Sequence, residues 1–65
     1  MIHIHIIPTD ERKDFPKLKS VLGLLNKLGL RRTDALIIRG DEMLTPDRAL
    51  KNGDHITVRL VGSRG

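Results

Sequence analysis

Residues 2–7 read IHIHII and residues 55–61 read HITVRLV. Each stretch alternates, and the alternation decides the fold. In an extended chain successive side chains point to opposite faces, so Ile2, Ile4 and Ile6 share one face while His3, His5 and Ile7 share the other. Ile56, Val58 and Leu60 likewise separate from His55, Thr57, Arg59 and Val61. Both read as half-buried strands. Their alternation is the clearest in the chain, which places them at the centre of a sheet.

Working outward from the first strand, Pro8-Thr9-Asp10 is a break. The next residues, ERKDFPK, are too charged for a central strand and suit a short, irregular edge strand in which charge and proline discourage aggregation. Only Phe15 is expected to reach the core there. Residues 16–29, PKLKSVLGLLNKLG, predict a helix. Pro16 suits the first helical position and Gly29 a left-handed ending. Leu18, Val21, Leu22, Leu25 and Leu28 form one apolar stripe, which Leu24 widens. Gly23 costs about 1 kcal/mol relative to alanine inside a helix, and its presence predicts close approach to a sheet.

Working back from the last strand, Asn52-Gly53-Asp54 is a turn signal. Thr45-Pro46-Asp47 opens a single helical turn, with Thr45 as cap. Before it, ALIIRGDEML reads as strand, tight turn at Gly40-Asp41, and strand. The result is an α+β domain over residues 1–61, with a mixed sheet of four to five strands covered on one face by one helix. Residues 62–65 are expected to form a flexible tail.

The bulk composition narrows the function classes. Sixty-five residues make one thin-cored domain, and without cysteine neither a disulfide nor a cysteine-based metal site can staple it. No apolar run approaches the length of a membrane span, and the start has no signal-peptide pattern, so a cytoplasmic protein is expected. The net charge of +4 comes from residues 1–33, where seven Lys/Arg face three Asp/Glu. Nucleic-acid binding is disfavoured, because one Phe and no Tyr or Trp leave no stacking platform for bases. A basic surface that docks on an acidic protein, or a plain solvated surface, accounts for the charge.

The order of elements resembles the β-grasp, or ubiquitin-like, fold. ALIIRGDEML and TPDRALKNGDHITV, with the helix LKSVLGLLNKLGL, are similar to segments of the small sulfur carriers of the ThiS/MoaD family, which serve thiamine and molybdopterin synthesis. The likeness covers residues 35–65 well, the helix in position and length, and residues 8–15 poorly. It implies a protein that is not itself an enzyme and holds no cofactor. A partner adenylating enzyme would activate the C-terminal carboxylate with ATP, sulfur would convert it to a thiocarboxylate, and a synthase would accept the sulfur. The family ends in Gly-Gly, which suits a narrow channel because glycine has no side chain to clash.

Here Gly65 matches the reacting terminus, with Gly62, Ser63 and Arg64 as the threading tail. Arg64 stands where the family has glycine, and it is long and always charged. Three readings stay open: a partner with an adapted, acidic channel; a ubiquitin-like interaction module without terminal chemistry; or a natural chain that continues past Gly65. Ile7 and Val61, rimmed by Arg39 and Arg59, are the candidate docking patch on the outward sheet face.

His3 and His5, joined by His55 if the last strand pairs with the first, place imidazoles on that same face. With no cysteine, and Asp54 as the one carboxylate expected nearby, they read as exposed polar residues, and no metal is assigned. Arg39-Gly40-Asp41 spells an adhesion tripeptide, but strand and turn account for it. Ser63 has no triad partners, and the glycines lack nucleotide-loop spacing.

Overall fold

The computed structural model describes residues 1–61. The elements are β1 (Ile2–Ile7), β2 (Glu11–Phe15), α1 (Val21–Leu28), β3 (Ala35–Arg39), β4 (Glu42–Leu44) and β5 (His55–Leu60). They form an α+β unit, with one mixed sheet in the order β2-β1-β5-β3-β4. β5 is the central strand. It runs parallel to β1, with Ile4 opposite Ile56 and Ile6 opposite Val58. It runs antiparallel to β3, with Ile37 opposite Val58. Parallel neighbours need a long crossover, and the chain between β1 and β5 includes the helix that covers the sheet.

The alternation seen in the sequence is realised. Ile2, Ile4, Ile6, Ile37, Ile56 and Val58 are buried in one core with Val21, Leu24 and Leu25 of the helix. Phe15 is half-buried and packs against that core from the otherwise exposed edge strand β2. Gly40 has φ +63° in the two-residue turn between β3 and β4, a left-handed conformation that glycine adopts without a Cβ penalty. Among the described residues, no helix is long and apolar enough to cross a membrane.

Three local expectations are corrected. The helix starts at Val21, not at Pro16. The reason is competition for its first amides. Ser20 is extended and its Oγ accepts from Gly23 N at 3.2 Å. Val21 N donates to Arg48 O and Leu22 N to Pro46 O, both at 3.0 Å. These bonds satisfy donors that the first turn of any helix leaves open. Lys19 O meanwhile accepts from Leu50 N at 2.9 Å, which holds residues 19–20 extended against 49–50. Leu18 remains in the core from outside the helix, and Leu22 turns out 50% exposed.

Gly23 does not mark close approach to the sheet, because a Cβ there would meet only Ser20 Oγ, at 3.7 Å. The helical turn expected at Thr45-Pro46-Asp47 is a simple turn, closed by Arg48 N donating to Thr45 O at 3.0 Å. The helix does end at Gly29 as expected. Gly29 has φ 71°, and Leu30 N reaches back to Leu25 O at 2.9 Å.

Candidate functional site

With the helix on one side, the other side of the sheet is left uncovered by any described element. Its residues follow from the register. β5 contributes His55, Thr57 and Arg59, the complement of buried Ile56 and Val58. β1 contributes His3, His5 and Ile7, opposite His55, Thr57 and Arg59 in that order. β2 adds Asp14 opposite His3 and Arg12 opposite His5. β3 adds Leu36 and Ile38, opposite Arg59 and Thr57. Met43 on β4 stands opposite Ile38 and is 60% exposed.

Of the four expected docking residues, Ile7 and Arg59 come together, and Val61 follows on the same strand line. Ile7 and Arg59 are register partners, and Ile7, Pro8, Arg59 and Leu60 line a shallow hollow at the end of the sheet where β5 finishes. Val61 follows β5 directly, is 38% exposed, and donates its amide to Asp34 O at 3.0 Å.

Arg39 does not join them. By the alternation of β3 it shares the face of buried Ala35 and Ile37. Its guanidinium lies 3.0 Å from Asp54 and 3.8 Å from Glu42, and it donates to Ala49 O at 3.5 Å. This is the helix side of the sheet, at the end away from Val61. Arg39 therefore secures the 45–54 segment instead of rimming the outward patch. Gly62, Ser63, Arg64 and Gly65 lie outside the described residues.

The sequence reading missed the apolar half of the open face. Leu36, Ile38 and Met43 extend the patch of Ile7 and Val61 across β3 and β4. A signal existed in the two-residue turn at Gly40-Asp41, which sets the register of the hairpin. The run Ala35-Leu36-Ile37-Ile38, however, is apolar throughout, so alternation alone could not say which side chains face out.

The polar half is a histidine network. His3 Nδ1 lies 2.8 Å from Asp14 Oδ1, and His5 Nε2 lies 2.5 Å from Asp10 Oδ1. His3 and His55 stack, with ring centroids 4.7 Å apart and planes 19° from parallel. The hydrogen bond from His5, then its charge, holds the exposed Asp10 carboxyl below its ordinary range. Asp54, expected beside these histidines, is instead occupied with Arg39 and the Lys51 amide. Among the described residues, no three His, Cys, Asp or Glu side chains group to enclose a metal.

Asp54 has a structural role that pH can reveal. Its carboxyl is held below the ordinary range, first by the Lys51 N–H at 2.8 Å, against the opposing cost of burial, and then by Arg39. A carboxylate with a depressed folded pKa contributes stability above its unfolded value. That contribution is lost as pH falls through the lower folded value. Asp54→Asn is therefore expected to lower stability by about 1–2 kcal/mol at pH 7. The gap to the unmodified protein should begin to narrow below about pH 4, where the unfolded carboxyl takes up its proton, and close only below the lower folded value. Urea midpoints of both proteins at pH 7 and pH 3 check this; an equal gap at both would refute it.

No protein-family model matches the chain, and no curated protein matches it.

Proposed function

We propose that the chain is a β-grasp sulfur carrier. In this reading a partner enzyme adenylates the Gly65 carboxylate with ATP, sulfur converts it to a thiocarboxylate, and a synthase of thiamine- or molybdopterin-type biosynthesis receives the sulfur. One observation carries the proposal. β5 is the central strand, and past Arg59, the partner of Ile7, its end reaches exposed Val61, after which residues 62–65 follow in sequence. A carrier whose reacting group is its own main-chain terminus is served by a terminal segment that follows directly on the central strand of the sheet. The single helix over a five-stranded sheet with parallel β1 and β5 supports the β-grasp reading.

The open face supplies the docking surface for the activating partner. Leu36, Ile38, Met43, Ile7 and Val61 offer apolar contact, and Arg59 offers charge. Arg39 has no part in it.

A second reading is favoured by Arg64. A channel shaped for two glycines excludes an arginine, which would leave a ubiquitin-like interaction module without terminal chemistry. The two separate on one experiment. The chain and its Arg64→Gly variant are each incubated with ATP and the adenylating enzyme of their host, and intact mass is taken with and without a sulfur donor. The carrier reading expects an adenylate, and then exchange of one oxygen for one sulfur at Gly65, in the unmodified chain. Activation of Arg64→Gly alone would establish the interaction module, and activation of neither would reject the carrier.

A further inference from the structure

We infer that His3 and His55 form a two-imidazole chelate for a borderline divalent cation, zinc above all, on the open sheet face. The first argument is spacing. Two imidazoles bonded to one zinc at about 2.0–2.1 Å hold their ring centroids about 4.5–5.2 Å apart, from right-angle to tetrahedral coordination. The His3 and His55 centroids are 4.7 Å apart. That is the ordinary spacing of neighbouring strands, and the two residues are direct register partners, so the backbone keeps both rings within reach of one ion while their side-chain torsions set the pose.

The second argument is the proton on His3. An ionised carboxylate only accepts hydrogen bonds. Asp14 Oδ1, at 2.8 Å, therefore places the proton of neutral His3 on Nδ1 and leaves the Nε2 lone pair available. A carboxylate behind an imidazole is the arrangement that fixes the tautomer and raises ligand basicity in metal sites. Asp14 also brings a negative charge to the cation.

One movement is required. The rings are stacked at 19°, and a shared metal must lie in the plane of both, so one ring has to turn. His55 is the one that turns: it is exposed, and among the described residues it has no hydrogen-bond partner. The terminal torsion of histidine is broad, so the turn is inexpensive. His5 lies outside the chelate, with Nε2 engaged by Asp10 and Arg12 opposite it. Among the described residues no third ligand-type side chain closes the group, so water would complete the coordination of a bound ion. The site is open to an incoming donor and not a structural staple.

Zinc titration of the full chain, followed by calorimetry and by the imidazole NMR signals, tests the inference. The expected result is one zinc per chain, with shifts at His3 and His55 and none at His5. His55→Ala should weaken binding at least about tenfold, and Asp14→Asn about tenfold, the lower end of the loss seen when such a carboxylate is removed. His5→Ala should leave binding unchanged. Matching thermal unfolding of the metal-free variants establishes that each is folded, and His3→Gln replaces any that is not, with loss of binding again expected. Absence of zinc uptake, uptake untouched by His55→Ala, or uptake that follows His5 overturns the site.

Discussion

Thr57→Pro is expected to abolish cooperative folding. Thr57 sits mid-way along β5, opposite His5 of β1 and Ile38 of β3. A proline has no N–H and cannot sit in the middle of a sheet without breaking a ladder bond. On an edge strand the lost donor can be one that faced water. On β5 both sides are occupied, so whichever way the amide points, a neighbouring carbonyl is stranded. A buried acceptor left without its donor costs about 1–3 kcal/mol. The ring also pushes apart strands that hold fully buried Val58 and Ile56 in register. A domain of this length has a total stability of only about 3–10 kcal/mol. Far-UV circular dichroism and urea titration should show no folded baseline. Lys13→Ala, on the exposed edge strand β2, is the control and should stay within about 0.5 kcal/mol of the unmodified protein. A cooperative transition in Thr57→Pro would mean that β5 is not the centre of the sheet.

Leu24→Ala is the second large effect. Leu24 is completely buried on α1, the one helix that covers the sheet. Truncation removes its transfer free energy and leaves a cavity whose cost depends on how far the site collapses; together these come to about 2–5 kcal/mol. In so small a domain that is much of the whole. The urea midpoint should fall steeply, or folding should fail at room temperature. Leu22→Ala, two residues earlier, is the informative comparison. The apolar stripe read from sequence includes Leu22, yet it is 50% exposed, so its truncation should cost under about 0.5 kcal/mol. Equal losses for the two would place Leu22 in the core and overturn the helix phase described here.

The contrast between Leu22 and Leu24 shows where sequence reading stops. The stripe read from the sequence belongs to a helix running from Pro16. Once the first turn is taken by extended residues bonded to the 45–50 segment, the phase of the buried face is set by Val21, Leu24 and Leu25. Nothing local in PKLKS announces that Lys19 O and Ser20 will be claimed by Leu50 and Ala49, far along the chain. Arg39 fell to the same limitation. In a strand whose neighbours are all apolar, an arginine at the end reads as a rim residue. Only the placement of Asp54 and Glu42 shows that it faces the helix side.

What the sequence by itself determined is the period-two pattern of IHIHII and HITVRL, the turns at Gly40-Asp41 and Asn52-Gly53, the helix stop at Gly29, and hence an α+β sheet with one covering helix. These are local matters: side-chain alternation, left-handed backbone and missing Cβ atoms act over a few residues and do not wait for partners. The tertiary structure alone decided the register of β5 against β1 and β3, and that Ser20 starts the helix. It also decided that Leu36, Ile38 and Met43 join Ile7 and Val61 on one open face, and that His3 meets His55 ring to ring. Each of those is a pairing between residues far apart in the chain. Its register is chosen by the burial of the whole core, so no short window of sequence contains it.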